Sequence, residues 1–234
     1  MIILAIDTTG RAVTAALAGE ESIFFEGFIN GSQKTSKTLM PMIKQMLDSV
    51  NMSVSDLTHI ACSSGPGSFT GLRVGAATAK ALAYALNIPV IAVPTLDALA
   101  YNVFDAKSII VPIMDARRRQ VYTAFYERYT ENGDMIRLSD YQASDITDVL
   151  RSLSDYNKPV IFLGDGVPVY RNDIISYGIE SKFAPLPALL QRASSAALLA
   201  LKLAREGKIT DSESFKPFYL RQSQAERQRK RCGE

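Results

Sequence analysis

The sequence predicts an α/β protein built as two similar lobes, each a mixed sheet flanked by helices, and two observations lead there. The first is a repeated hairpin. An apolar strand over 2–6 runs into Asp7-Thr8-Thr9-Gly10 and returns over 13–18; a second over 109–114 runs into Asp115-Ala116-Arg117 and returns over 121–126. Placing Asp115 on Asp7 also puts Val121 on Val13 and Ala124 on Ala16 without a gap. The second observation is order: each hairpin is followed by a helix, a strand and a glycine turn, at 36–50, 60–64 and 65–71 in the first half and at 144–153, 159–163 and 164–166 in the second. Duplicated hairpin-led lobes are the plan of the actin/Hsp70/sugar-kinase (ASKHA) superfamily, and a cleft between the lobes follows from that plan. The expected division is a first lobe over 1–105, a second over 106–215, and a C-terminal docking segment with a basic tail over 216–234.

Local signals support each element. Over 36–50, Leu39, Met40, Ile43, Met46, Leu47 and Val50 fall at helical spacing, with Lys44, Gln45 and Asp48 elsewhere on the helix. The alanine-rich stretch 72–86 is helical and follows the glycine loop directly. A strand over 90–93 precedes Pro94, and Thr95 is placed to cap a helix reaching 103. In the second half, helices are expected after Gly166 through Ile175 and over 194–205. The aromatic segment 215–221 has the composition of a docked tail, and the last residues carry Arg227, Arg229, Lys230 and Arg231.

Composition narrows the chemistry. The chain has 234 residues, 47% of them hydrophobic, and its 26 Lys and Arg nearly balance 24 Asp and Glu, so the body has no global field that argues for nucleic-acid binding. Two cysteines, Cys62 and Cys232, make neither a disulfide framework nor a zinc site. The single histidine, His59, removes the paired imidazoles that zinc hydrolases and Ser-His or Cys-His centres require. The strand at 2–6 is not preceded by a basic stretch and apolar signal core, and no apolar run approaches membrane-spanning length. A cytoplasmic protein with no membrane contact is the expectation.

Two groups of residues are candidates for function. Asp7, Thr8 and Thr9 at the end of a buried strand, with Gly65, Gly67 and Ser68 in the glycine loop, form a weak candidate site for a nucleotide or phosphate, because backbone N–H groups at a helix start receive anions. A plain turn explains Asp7 equally well. The loop lacks the Lys-Ser/Thr ending of a P-loop, and Ser68 has no histidine to activate it, so no catalytic residue, metal site or cofactor is assigned. The second group is the narrow stripe Gly71, Gly75, Ala76, Ala79, Lys80 and Ala83. Together with Leu39, Met40, Ile43 and Met46, it is read as a helical surface shared between chains. Arg117, Arg118 and Arg119 put three cations in one hairpin turn, attractive to phosphate or to carboxylates.

The motifs Ile6-Asp7-Thr8-Thr9, the long run from Ser63-Ser64-Gly65-Pro66-Gly67-Ser68-Phe69-Thr70-Gly71 to Leu72-Arg73-Val74-Gly75, Asp115-Ala116-Arg117 with Val121-Tyr122, and Tyr219-Leu220-Arg221 resemble those of the TsaB (YeaZ) family over nearly the whole chain. The resemblance implies a non-catalytic paralogue of TsaD, the transferase that places a threonylcarbamoyl group on the adenosine 3′ of the anticodon in tRNAs reading codons that begin with A. It implies a heterodimer with a TsaD-like protein through the first-lobe helices, assembly with a TsaE-like ATPase, contact with tRNA only through the complex, and homodimers where the partner is missing. The paralogue's His-x-x-x-His metal pair has no counterpart in a chain whose sole histidine is His59. Family members often show His-Ser-Glu where this chain has Thr35-Ser36-Lys37, and Gly-Glu where it has Arg119-Gln120, so local charge here is more positive. The competing reading is a Mg-nucleotide phosphotransferase or hydrolase of the same fold.

Overall fold

The computed structural model describes residues 1–31, 35–105, 107–128 and 135–221; the tail cations Arg227, Arg229, Lys230 and Arg231, and Cys232, lie outside them. The first half contains β1 (Ile3–Asp7), β2 (Val13–Ala18), β3 (Ile23–Ile29), α1 (Thr35–Ser49), β4 (His59–Gly65), α2 (Phe69–Leu86), β5 (Val90–Pro94) and α3 (Thr95–Ala100). The second contains β6 (Ile109–Asp115), β7 (Gln120–Thr123), β8 (Tyr126–Arg128), β9 (Met135–Arg137), β10 (Gln142–Asp145), α4 (Ile146–Leu153), β11 (Val160–Leu163), α5 (Val167–Tyr177), β12 (Ser181–Phe183), α6 (Leu186–Leu189) and α7 (Ala193–Arg205).

β1 is buried along its length and apolar up to its terminal Asp7 because helices cover both faces of its sheet. The first sheet has the order β3-β2-β1-β4-β5, antiparallel on one side of β1 and parallel on the other. The second repeats it as β10-β7-β6-β11-β12, with the β8–β9 hairpin attached to β6. The duplicated ASKHA plan expected from the two hairpins is therefore the observed fold.

The gapless match between the hairpins fails at the aspartates. Asp7 pairs with Thr14, whereas Asp115 pairs with Val121, so the second turn is one residue tighter. A one-residue slip reverses the face of a strand residue. Asp7 consequently lies on the side of its sheet where Thr14 meets α7, through Ala193 N, and Asp115 lies on the side where it meets Tyr170 of α5.

α1 and α2 pack on one face of the first sheet with Leu39, Ile43, Met46, Ala79 and Ala83. α7 packs on the other, through Ala193, Ala196, Ala197 and Ala200 against Ile3, Ala5 and Ile91. The second lobe therefore does not extend to 215 as the sequence suggested: the chain returns after α6 and gives its last helix to the first lobe, because alanines at helical spacing let α7 lie close on that sheet. α3 sits between the sheets, with Ala98 facing the first lobe and Leu96, Leu99 and Ala100 facing the second.

Polar contacts join the lobes at α3. The hydroxyls of Tyr126 and Tyr141 both donate to Asp97 Oδ1 at 2.7 Å, and Asn102 Nδ2 donates to the carbonyls of Leu190 at 2.7 Å and Ala188 at 3.1 Å. Burial, together with the Asp97 charge, raises the pKa of both tyrosines, which keeps them neutral donors. Asp97→Ala is expected to cost about 1–3 kcal/mol for each buried hydroxyl left without an acceptor. Urea unfolding of Asp97→Ala beside Tyr126→Phe measures this, and an unchanged midpoint for the former contradicts the clamp.

Candidate functional site

The glycine loop and the β1–β2 turn form one interlocked unit. Asp7 Oδ1 accepts from Thr9 N at 2.8 Å and Thr9 Oγ1 at 2.7 Å, and Oδ2 accepts from Ser63 Oγ at 2.7 Å. Burial raises the Asp7 pKa, while these donors pull the other way. Thr8 Oγ1 donates to the Gly71 carbonyl at 2.7 Å, and Ser68 N donates to the Thr9 carbonyl at 2.6 Å. A side chain at Gly71 would collide with the Thr8 carbonyl oxygen, and one at Gly67 would collide less severely with the Thr9 carbonyl oxygen. Gly65 takes φ +124° with the Phe218 carbonyl against it.

The six candidates for a phosphate cradle divide evenly, three lining the cleft and three turned into the chain. Asp7, Thr8 and Gly65 do not reach the cleft; their polar groups are engaged within the chain. The glycines are small because the chain's own carbonyls approach them. Ser68 caps α2, its Oγ accepting from Gly71 N at 3.3 Å, and with Thr9 and Gly67 it lines the cleft wall.

The cleft between the lobes has a volume of about 670 Å³. The first lobe contributes the Thr9–Arg11 turn and the start of α2, the second Asp115, Arg117 and Asp165, and the segment 218–221 runs along it. Asp165 is 8% exposed; its Oδ1 accepts from Asp115 N at 3.1 Å. Burial raises its pKa, and the Asp115 charge adds to the shift. Asp115 also accepts from Arg117 N at 2.9 Å and Tyr170 OH at 3.3 Å; burial first, then Asp115, pushes the Tyr170 phenol up to about 12. Asp165 was legible only as the centre of a Gly-Asp-Gly turn, and its place beside Asp115 depends on β6 and β11 being neighbours. Among the described residues no group of three or more His, Cys, Asp and Glu is placed to hold a metal ion. His59 stands at the start of β4, the opposite end from the glycine loop, bonded to Thr58 Oγ1 at 2.9 Å.

The segment after α7 is a strap. Phe215 enters the first-lobe core, Lys80 Nζ donates to the carbonyls of Glu213 at 3.0 Å and Phe215 at 3.3 Å, and Phe218 N donates to the Ser64 carbonyl at 2.6 Å. Tyr219 packs on Phe69 with ring centroids 4.7 Å apart, and Arg221 Nη1 reaches the Ala116 carbonyl of the second lobe at 2.9 Å.

The expected partner face needs a second correction. Leu39, Ile43 and Met46 are buried in the chain's own core, as are Gly71, Gly75, Ala76, Ala79 and Ala83, and Lys80 holds the strap. The small stripe lets α2 lie against the β1 turn: a side chain at Gly75 would strike Thr8 Oγ1. Of the named set only Met40, 46% exposed, faces outward. The outer surface of α2 is Arg73, Ala77, Ala81, Tyr84 and Ala85, with Tyr84 74% exposed.

Comparison with known proteins agrees with this geometry. Residues 30–229 match the family model described as TsaD, tRNA N6-adenosine threonylcarbamoyltransferase. The Bacillus subtilis tRNA threonylcarbamoyladenosine biosynthesis protein TsaB is 34% identical over 97% of this chain and 96% of its own; the Escherichia coli TsaB is 28% identical over 96% of each. The structure of YeaZ from Pseudomonas aeruginosa superposes with a TM-score of 0.78 at 25% identity, covering 94% of this chain and 99% of that one. The activator of 2-hydroxyisocaproyl-CoA dehydratase from Clostridium difficile, with bound ADPNP, shares the fold alone at 12% identity and a TM-score of 0.51. Fold and cleft thus define a two-lobed ASKHA-type protein of the broad group the TsaD model covers. Within that group the chain belongs to the TsaB (YeaZ) family.

Two outcomes are expected. Gly71→Ala should lower stability by roughly 1–3 kcal/mol by overpacking α2 on the β1 turn, read from urea midpoints. Asp165 holds its proton to a higher pH folded than unfolded. Its contribution to stability is therefore complete below the ordinary aspartate value of 3.8 and is lost as pH rises through the folded value. Asp165→Asn should remove part of that fall, measured by denaturant midpoints at stepped pH; an unaltered slope contradicts the burial argument.

Proposed function

We propose that this protein is a non-catalytic subunit in the formation of threonylcarbamoyladenosine in tRNA, and that it binds and activates a TsaD-like transferase. The family supports the pathway, since its relatives are named for that biosynthesis. The observation that carries the non-catalytic part is the filled glycine loop. Ser68 N is engaged by the Thr9 carbonyl, and Asp7 already accepts three hydrogen bonds, so the elements a Mg-nucleotide enzyme of this fold would use are turned to internal packing. The phosphotransferase reading loses its strongest residues with them.

The contact we assign to the transferase is the outer surface of α1 and α2, around Met40, Ala77, Ala81 and Tyr84. An exposed tyrosine beside two alanines on an 18-residue helix suits close helix packing, because the ring supplies area and the alanines supply approach. The same surface serves a second copy of this chain when the transferase is missing. In this reading a TsaE-like ATPase joins the pair, and the setting is the cytoplasm.

The test is co-expression with the TsaD-like protein of the same genome, followed by co-purification and a tRNA threonylcarbamoylation assay with and without this chain. Ala81→Glu and Tyr84→Ala should leave the melting temperature near wild type, since both sites are exposed. The tyrosine truncation should weaken association about 30-fold, as interface tyrosines do at roughly 2 kcal/mol. Full product formation without this chain would overturn the role; undiminished association of both variants would overturn the surface.

A further inference from the structure

We infer that the β6–β7 turn is a direct contact for single-stranded RNA, with Arg117 and Arg118 on phosphates and an unpaired base meeting the aromatic strap at the cleft mouth. Arg117, Arg118 and Arg119 all have left-handed backbones, at φ 64°, 57° and 60°. Such a conformation is unfavourable for every residue but glycine and, less so, asparagine and aspartate. Three in succession persist only where surrounding bonds hold them, and strain of this kind gathers at functional sites.

Backbone and side-chain hydrogen bonds hold the turn. Arg117 N donates to Asp115 Oδ1 at 2.9 Å, Ala116 N to the Gln120 carbonyl at 2.9 Å, and Ile146 N to the Arg119 carbonyl at 3.1 Å. The Arg119 guanidinium pairs with Asp173 at 3.0 Å, which anchors the turn to α5. Arg119 is thus the structural member of the three. Arg117 reaches Asp115 at only 3.4 Å with its side chain 87% exposed, and Arg118 is exposed with no ion pair among the described residues. Glycine would fit these positions without strain, so what the arginines add is guanidinium outside the fold.

The surroundings select the ligand. Arg11, exposed on the β1–β2 turn, lines the same cleft from the opposite lobe, so cations stand on both rims. Between them Phe218 and Tyr219 are 43% and 39% exposed. Asp115 and Asp165 line the cleft as well, so a phosphate is received at the exposed rim guanidiniums rather than deeper in, and the half-open rings beside them are suited to stack an unpaired base. An acidic protein surface would use the cations and leave the recessed cleft of about 670 Å³ and its rings empty. The choice of RNA among polyanions rests on the proposed role in tRNA modification; the site itself does not.

The experiment uses the full-length chain and a fluorescently labelled 12-nucleotide single-stranded RNA of mixed sequence, titrated by anisotropy at several salt concentrations. Arg118→Gly separates binding from folding: its melting temperature should rise by about 2–4 °C as strain is relieved. Its RNA affinity should fall roughly three- to tenfold, with the slope of log affinity against log salt reduced by about 0.7. Tyr219→Leu, which keeps an apolar contact with Phe69, should weaken binding about 5-fold or more through lost stacking. The wild-type chain failing to bind the RNA near 50 mM salt, or Arg118→Gly binding it unchanged, overturns the proposal. So does loss of the TsaD-like partner by Arg118→Gly at unchanged RNA affinity, which would assign the turn to an acidic protein. Because the titration uses the isolated chain, it stands apart from co-purification: failed association sinks the subunit role and leaves the RNA result to be read alone.

Discussion

The seating of the first hairpin turn on the start of α2 governs most of this structure. Two backbone carbonyls, Thr8 and Thr9, press on Gly71 and Gly67, and two hydrogen bonds, Thr8 Oγ1 to the Gly71 carbonyl and Ser68 N to the Thr9 carbonyl, close the contact. Beneath it Asp7 collects donors from Thr9 and Ser63, so a carboxylate that burial disfavours as an ion is held by three hydrogen bonds. The rotation of α2 follows. With Gly71, Gly75, Ala76, Ala79 and Ala83 turned inward, the side bearing Ala77, Ala81 and Tyr84 is the one left to solvent. The same contact takes up Ser68 N and the Asp7 carboxylate inside the chain, while Thr9, Gly67 and Ser68 still line the cleft.

The lobes are joined by more than a linker. α3 contributes to the cores of both, Asp97 accepts from two tyrosines of the second lobe, and the strap runs from Lys80 across Ser64 to the Ala116 carbonyl. Apart from the exposed Lys80–Glu213 bond, the side-chain ties are half-buried polar contacts whose loss would leave a partner without its bond, so they reinforce one another in setting the relative placement of the lobes.

Duplication left the two halves alike in topology and different in chemistry. A one-residue slip sends Asp7 toward the α7 side of its sheet and Asp115 toward α5. The first hairpin turns through ordinary backbone, with Thr8 and Thr9 absorbed into packing and Arg11 left exposed. The second turns through three left-handed arginines and stays open to solvent. The buried threonines of the first turn therefore serve the fold, and the strained second turn is where side-chain chemistry outweighs backbone preference.

Periodicity and turn chemistry were enough to read the two hairpins, the α1 and α2 segments, the glycine loop between β4 and α2, and the duplicated plan, because each is written in local spacing. The missing histidine pair was equally plain from composition. Which stripe of α2 faces inward was not legible: Ala77, Ala81 and Ala85 are as small as Ala79 and Ala83, and only the seating of Gly71 on the Thr8 carbonyl and of Ala79 and Ala83 in the first-lobe core distinguishes them. The return of α7 to the first sheet, the meeting of Asp115 with Asp165, and the pairing of Tyr126 and Tyr141 with Asp97 join residues dozens of positions apart. Local pattern sets what each segment becomes; which faces are consumed by the fold and which remain outside is decided when the segments compete for the same buried area.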